Sequence, residues 1–208
     1  MAGFRRFHEK YYEQPDLENS VYYKLASAGQ TPKTMLIGCS DSRVDPAILT
    51  DAAPGELFVV RNVANLVPPC EPSAVGFHGT SSAIEFAVQS LKVENIIVLG
   101  HRQCGGIRAL LQKPDLPTES FIHQWMSIAE EVRVDINSRF AQANEDDRWR
   151  MAEMESIKVS IRNLQTFPFV KSAVLKKELN LIGIYFDLEQ GELWEYSETT
   201  GQFTQLSL

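Results

Sequence analysis

Short apolar runs alternate along the chain with segments in which apolar residues recur at helical spacing. Three runs, at 34–37, 57–60 and 95–99, are continuous and bounded by polar residues or glycine. Continuous runs of this length are typical of strands that are buried on both faces of a parallel sheet. Helical segments between such strands indicate an α/β fold, with a mostly parallel sheet and helices on both faces.

The helical segments are identified by the spacing of their apolar residues. In 79–91, Ile84, Ala87, Val88 and Leu91 share one face. Similar stripes predict helices over about 17–28, 121–140 and 154–164, and Pro168 is suited to open a further helix. Apolar segments at 181–186 and 192–196 flank a Gln-Gly pair, which predicts a β-hairpin and an antiparallel strand at the sheet edge.

Length and composition limit the classes of protein to consider. The 208 residues suit one domain, 1–208, with 44% hydrophobic residues. The formal net charge of −7 argues against nucleic-acid binding, which needs a basic surface. No apolar run approaches the roughly 18 residues of a membrane span, and the first residues lack the apolar core of a secretory signal. We therefore expect a cytoplasmic protein without a membrane partner.

Cysteine is scarce: the chain contains Cys39, Cys70 and Cys104. An odd, small number in a cytoplasmic chain does not indicate a disulfide framework, so reduced thiols would be free for metal binding or catalysis. The alternative is that they are small buried apolar residues, which is the commoner role of a single cysteine.

Three polar segments directly follow the predicted strands. Residues 38–43 read Gly-Cys-Ser-Asp-Ser-Arg, residues 61–65 read Arg-Asn-Val-Ala-Asn, and residues 100–106 read Gly-His-Arg-Gln-Cys-Gly-Gly. All three are expected at the carboxyl ends of parallel strands, the edge where open α/β sheets bind their ligands.

The first and third of these segments carry soft metal ligands. His101 and Cys104 are three residues apart, and Cys39 supplies a second thiolate from another strand end. Two thiolates and one imidazole suit zinc, and three protein ligands leave the fourth position open, as in catalytic zinc sites. Gly105 and Gly106 are expected to allow tight packing behind the site. A helix starting near Cys104 is expected to lower the pKa of its thiol.

Together, Cys-Ser-Asp-Ser-Arg after one strand and Gly-His-x-x-Cys-Gly-Gly after a later one resemble the motifs of the beta-class carbonic anhydrases. The resemblance runs from residue 30 to residue 106, is looser over 115–180, and resumes in the late hairpin. It implies a four-stranded parallel sheet extended by an antiparallel C-terminal strand. It also implies an N-terminal helical arm, 1–30, beside a catalytic core, 31–208.

The resemblance also implies a reaction and its residues. Cys39, His101 and Cys104 match ligands of one Zn²⁺ per chain, and Asp41 and Arg43 match the catalytic pair beside it. The implied reaction is the reversible hydration of carbon dioxide to bicarbonate and a proton, by attack of zinc-bound hydroxide. The residues that match substrate-binding positions are Gln30, Phe58, Val63, Phe86 and Gly105. Some members have tyrosine where this chain has Phe86, so no hydroxyl role is carried over.

Two other functions remain open on this pattern. Hydrolases of carbonyl sulfide or carbon disulfide share the fold and the metal motif. A non-enzymatic zinc module is less favoured, because a structural zinc site has four protein ligands. Only Asp41 is a candidate for the fourth ligand here. Without the zinc motif, Asp41 and Arg43 would be interpreted as a structural salt bridge at a turn.

The resemblance finally implies assembly and regulation. Family members form dimers with the active cleft at the subunit interface. The tyrosine-rich N-terminal segment offers contact surface, so we expect a dimer or a dimer of dimers. One branch of the family binds regulatory bicarbonate with a tryptophan, an arginine and a tyrosine. Here Leu36 and Phe186 stand at the first and last of these positions and only Arg61 matches, which predicts no cooperative inhibition by bicarbonate.

Overall fold

The structure, a computed structural model, describes residues 1–71, 78–112 and 120–207. The strands are β1 (Thr34–Cys39), β2 (Leu57–Asn62), β3 (Asn95–His101), β4 (Asn180–Asp187), β5 (Glu192–Ser197) and β6 (Gln202–Gln205). The α-helices are α1 (Ala2–Tyr12), α2 (Val21–Ala28), α3 (Pro46–Thr50), α4 (Gly79–Glu85), α5 (Gly105–Gln112), α6 (Phe121–Met126), α7 (Glu130–Arg139), α8 (Glu145–Leu164) and α9 (Pro168–Leu175).

The described strands form one sheet in the order β2-β1-β3-β4-β5-β6. The first four are parallel, and β5 and β6 extend the sheet in antiparallel orientation. From β1 the chain passes to β2 on one side, then returns to β3 on the other. The strand order therefore reverses between β1 and β3, and such a reversal opens a crevice at the carboxyl ends of the two strands.

The central strands are covered on both faces. Met35, Leu36 and Ile37 are consecutive in β1 and all fully buried, as the continuous apolar run predicted. The long helix α8 packs across β3 and β4. Its Ile157 fits over two glycines, Gly100 and Gly183, where an added Cβ would lie 2.6 and 2.9 Å from Ile157 atoms. The approach of α8 to the carboxyl half of these strands brings its side chains close to the crevice.

The sheet contains one strand more than was predicted. β6 was missed because Gln202–Gln205 is polar apart from Phe203, so it shows no apolar run. Its pairing with β5 positions the Phe203 ring 5.4 Å from that of Tyr196, and the chain continues with Leu206 N donating to Leu193 O at 2.8 Å. A cross-strand aromatic pair of this kind stabilises a strand whose own sequence is a weak indicator.

Two predicted helices are shorter than expected. The segment 17–28 begins with a single 3₁₀ turn, and α2 starts only after Ser20, whose hydroxyl caps it by accepting from Tyr23 N. The segment 121–140 is divided by a 3₁₀ turn, Ser127–Ala129, into α6 and α7. The Ser127 hydroxyl donates to Gln124 O at 2.7 Å, a local bond that competes with regular helix geometry. None of the described helices combines the length and apolarity that a membrane span requires.

Candidate metal centre

Three soft donor atoms converge at the crevice between β1 and β3. Cys39 is the last residue of β1, His101 is the last residue of β3, and Cys104 immediately precedes α5. Their ligand atoms all lie within 4.8 Å of one another, and the two sulfurs are 3.9 Å apart. All three residues are buried, so the donors face one another rather than solvent.

The imidazole of His101 is oriented by its neighbour in the chain. Its Nδ1 lies 2.9 Å from the main-chain oxygen of Arg102, which can only accept, so Nδ1 carries the proton. In the neutral ring that a metal ligand requires, Nε2 is then unprotonated, and it is buried without a hydrogen-bond partner among the described residues. A carbonyl bond on one ring nitrogen and a free lone pair on the other is the arrangement found in metal-binding histidines.

The two thiols have opposite pKa shifts. The contact with the Cys104 side chain holds the pKa of Cys39 well below its usual value, because one thiol stabilises the other as a thiolate. The same contact with Cys39, together with burial, raises the pKa of Cys104. The main-chain N–H groups of Gly106 and Ile107 act in the opposite direction, as the helix N-terminus predicted, but they are outweighed. The expected low pKa of Cys104 was therefore wrong for the chain without metal. A cation that binds both sulfurs would displace the proton they share.

Of the two glycines expected to allow tight packing, only Gly106 does so. A Cβ at Gly106 would lie 2.8 Å from Val63 Cγ1 and 3.0 Å from Ala64 Cβ, whereas nothing lies within 4 Å of one at Gly105. The turn that Gly106 meets follows β2, and its residues Ala64 and Asn65 have positive φ values of 64° and 48°. Gly106 thus lets α5 approach a tightly wound segment beside the donors.

Asp41 and Arg43 form a bidentate ion pair beside the donors. Nε of Arg43 lies 2.9 Å from Oδ1 of Asp41, and Nη2 lies 2.7 Å from Oδ2. Nη2 also donates to the main-chain oxygen of Gln103 at 3.0 Å, which links the loop after β1 to the loop after β3. The Arg43 side chain holds the pKa of Asp41 well below its usual range. Asp41 is therefore an ionised carboxylate that accepts hydrogen bonds and does not donate them.

Arg61, at the end of β2, fixes the loop that carries this pair. Its guanidinium donates to Cys39 O at 2.9 Å, to Asp41 O at 2.6 Å and to Asp45 Oδ2 at 3.0 Å. Asp45 in turn caps α3 by accepting from the main-chain N–H groups of Ala47 and Ile48. All three nitrogens of the Arg61 guanidinium thus bond to groups of the same loop.

A match to a protein-family model decides which family this geometry belongs to. The model described as "Carbonic anhydrase" matches residues 34–193, which is most of the chain and includes every donor described above. The chain belongs to the beta-carbonic anhydrase family. It is 35% identical to "Beta carbonic anhydrase 3" of Arabidopsis thaliana, over 97% of this chain and 78% of the plant protein.

Solved structures of the family have the same fold. The beta-carbonic anhydrase CcaA is 31% identical and superposes with a TM-score of 0.89, over 100% of this chain and 90% of that one. A structure described as one of two tetrameric beta-carbonic anhydrases from Sordaria macrospora is 28% identical. Its TM-score is 0.78, over 98% of this chain and 94% of that one.

The residues at the substrate-binding positions implied by this family are distributed over separate elements of the chain. Phe58 and Phe86 contact each other, with ring centroids 5.9 Å apart, and Phe86 and Val63 are exposed in the single chain. Gly105 is the first residue of α5 and is exposed, next to Cys104. Gln30 lies on the exposed segment between α2 and β1. Their roles in binding substrate stay predictions.

Sequence reasoning missed two side chains of α8 that reach Cys104, one of the three candidate metal ligands. Trp149 donates from Nε1 to Cys104 O at 3.0 Å, and Glu153 accepts from Cys104 N at 2.8 Å. Burial raises the pKa of Glu153 to about 7, against the opposing effect of its hydrogen bonds. One signal was available: Glu153 lies four residues before Ile157, so an acidic residue occurs on the apolar stripe of a helix.

Proposed function

We propose that this chain is a zinc-dependent carbonic anhydrase that catalyses the reversible hydration of carbon dioxide to bicarbonate and a proton. The observation that supports this most is the buried group formed by Cys39, His101 and Cys104, beside an ionised Asp41. Two sulfurs and a histidine with a free Nε2 fit a zinc ion, and three ligands leave one position for water. A zinc ion held by such a set would supply hydroxide by lowering the pKa of a coordinated water far below that of bulk water.

Asp41 orients the nucleophile in this proposal. Oδ1 accepts from both the main-chain N–H and Nε of Arg43, whereas Oδ2 accepts from Nη2 and keeps a second lone pair, so Oδ2 could accept a hydrogen bond from a hydroxide supplied by the metal. Such a bond would direct a lone pair of that hydroxide toward the carbon atom of the substrate. Arg43 would serve by keeping Asp41 ionised and by holding its carboxylate on the guanidinium rather than on the metal.

Carbon dioxide is small and has no net charge, so its binding requires an apolar space beside the nucleophile rather than a charged pocket. The Phe58–Phe86 pair and Val63 are proposed as the walls of this space, with Gln30 and Gly105 as polar and main-chain contacts. Phe86 and Val63 are partly exposed in the single chain, 46% and 38% of their maximum. A second subunit over this face would exclude water from the space, which is consistent with a proposed homodimer or dimer of dimers.

We further propose that the protein acts in the cytoplasm. The structure describes Cys39, Cys70 and Cys104, and all three are free thiols. Reduced thiolates are needed for the proposed metal set, and a reducing compartment maintains them.

A comparison of three gases tests the proposed function against its nearest rival. The zinc-loaded protein is assayed with carbon dioxide, carbonyl sulfide and carbon disulfide under identical conditions. We expect rapid hydration of carbon dioxide, and hydrolysis of the sulfur gases that is slower by orders of magnitude. Preferential turnover of either sulfur gas would contradict this proposal and would indicate a carbonyl sulfide or carbon disulfide hydrolase. Zinc binding without turnover of any of the three would favour the non-enzymatic module.

A further inference from the structure

Side chains of one helix, α8, form hydrogen bonds with both the N–H and the carbonyl group of Cys104. Trp149 Nε1 donates to Cys104 O at 3.0 Å, and Glu153 Oε1 accepts from Cys104 N at 2.8 Å. Trp149 and Glu153 are four residues apart, so they are successive residues on the same face of α8. Two side chains on one helical turn therefore hold both main-chain polar groups of a single proposed metal ligand. We refer to Trp149 and Glu153 as the α8 clasp.

The α8 clasp is itself fixed by buried partners. The second oxygen of Glu153 accepts from the hydroxyl of Tyr185 at 2.9 Å, and both residues are almost fully buried. The guanidinium of Arg102 lies 3.8 Å from the same oxygen and 5.8 Å from the Trp149 ring. Its side chain is only 3% exposed, so this positive charge is close to the clasp and shielded from water. The acceptor for Cys104 N is thus held by a hydrogen bond on one side and a charge on the other.

The position of Cys104 explains why this support matters. Cys104 lies between the short turn after β3 and the first residue of α5, and Gln103 before it has a positive φ of 59°. His101 and Cys39 end regular strands, so the sheet fixes their main chains. Cys104 lies outside the sheet, and its N–H is not part of the strand pairing. The first turn of α5 holds part of this residue, because Arg108 N donates to Cys104 O at 3.0 Å and the N–H groups of Gly106 and Ile107 reach its sulfur. The bond to Cys104 N and a second bond to Cys104 O come from α8.

We propose that Trp149 and Glu153 are positioning residues that fix the Cys104 thiolate for metal binding. This inference rests on the proposed function, since it takes Cys104 to be a zinc ligand. Other polar residues of α8 bond to a different segment: Ser160 and Asn163 reach the main chain of Asn65 and Val67. The helix thus has one pair of side chains for the turn after β2 and a separate pair for the metal ligand.

The test measures zinc affinity by competition with a chelator, using Trp149→Phe and Glu153→Met in the full chain. Phe keeps an aromatic ring for Arg102 and Arg108 but removes the N–H donor. Met keeps the approximate size of Glu and removes the acceptor. Changes to groups that orient a metal ligand typically weaken metal binding by 10- to 100-fold, and we expect about this increase in Kd for each variant. Glu153→Gln, which retains an oxygen to accept from Cys104 N, should recover most of the affinity.

Two readouts separate positioning from a structural role. Cobalt(II) bound in place of zinc should lose intensity in its thiolate charge-transfer absorption, because one sulfur is misdirected. The increase in Tm on zinc loading should shrink in the variants, whereas a structural role would lower the Tm of the metal-free and zinc-loaded proteins equally. If Glu153→Met does not fold, Trp149→Phe carries the test alone.

The matched control is Trp125→Phe, which removes a bond of the same kind. Trp125 Nε1 donates to Val63 O at 2.8 Å, an indole bond to a main-chain oxygen outside the proposed ligands. Zinc affinity should be unchanged in this variant. Wild-type affinity and cobalt absorption in both Trp149→Phe and Glu153→Met would overturn the α8 clasp while leaving the proposed function intact. A wild-type protein that binds no zinc would instead overturn the proposed function.

Discussion

Arg43 holds both carboxylate oxygens of Asp41, with Nε 2.9 Å from Oδ1 and Nη2 2.7 Å from Oδ2. Arg43→Ala removes this hold and frees Asp41 to bind the metal at the open position. We expect the zinc-loaded variant to hydrate carbon dioxide about 10- to 100-fold more slowly, the effect of losing a charge-assisted hydrogen-bond pair. Its zinc content should equal that of the wild type, because every proposed ligand is retained.

Arg139→Ala is the control for Arg43→Ala. Arg139 forms an exposed pair with Asp135 at 2.8 Å on α7, and such surface pairs contribute little to stability. Its hydration rate should stay within about twofold of the wild type. A near-normal rate in zinc-loaded Arg43→Ala would show that the ion pair is structural and has no part in the reaction.

The pH dependence of hydration follows from the charge of the ligands. Two thiolates neutralise a zinc ion more than three neutral histidines do, so its coordinated water should ionise above the pKa of roughly 7 found in three-histidine sites. Arg43 holds the pKa of Asp41 well below its usual range, so Asp41 stays ionised and contributes no slope near neutral pH. Stopped-flow rates should therefore rise from about pH 7 to about pH 9. A flat profile over this range would contradict the proposed charge of the site.

Arg61 is expected to give no regulatory anion site. Its nitrogens donate to Cys39 O, Asp41 O and Asp45 Oδ2, so an anion would have to break bonds that hold the loop after β1. Leu36 is fully buried in the sheet, and Phe186 carries no hydroxyl to donate to an anion. We therefore predict simple, hyperbolic inhibition by bicarbonate in initial-rate measurements. A sigmoidal inhibition curve that becomes hyperbolic in Arg61→Gln would refute this.

The N-terminal helices offer an aromatic surface for assembly. Tyr22 of α2 contacts Phe7 and Tyr11 of α1, with ring centroids 5.1 and 5.0 Å away. No residue of α1 is buried in the single chain, and Phe4 is 66% exposed. Sedimentation velocity at assay concentration should show a dimer or a tetramer, because exposed aromatic surface of this kind is favoured at interfaces.

Two exposed apolar residues, Phe4 on α1 and Leu175 on α9, allow a test of whether the N-terminal helices form the assembly surface. Phe4→Lys should shift the protein toward smaller species, because a charge would replace apolar contact area. Leu175→Lys on α9, where the residue is 75% exposed, should leave the distribution unchanged. A fully active monomer of the wild-type chain would contradict the predicted assembly.

The sequence predicted the strands that carry the site better than the contacts that support it. The ends of β1 and β3 were found because Cys39 and His101 each follow a continuous apolar run and one glycine. The polar strand β6 had no such signal, and its pairing depends on β5. Trp149 and Glu153 bond to Cys104 from 45 and 49 residues away. An acidic residue on the apolar stripe of α8 could indicate that Glu153 is buried, but it could not identify Cys104 as its partner. Residues that bond to a distant main chain leave little trace in the periodicity of their own helix.

Zinc content and hydration rate, measured together on cysteine variants, test the central claim most directly. Cys39, His101 and Cys104 are replaced singly by serine, alanine and serine, and Cys70→Ser is the control. Cys70 is a free thiol that contacts Glu71 O rather than the metal group. We predict one zinc per chain and full activity in the wild type and in Cys70→Ser, and loss of both in the other three variants. Full zinc retention with unchanged hydration in Cys39→Ser, His101→Ala and Cys104→Ser would contradict the account.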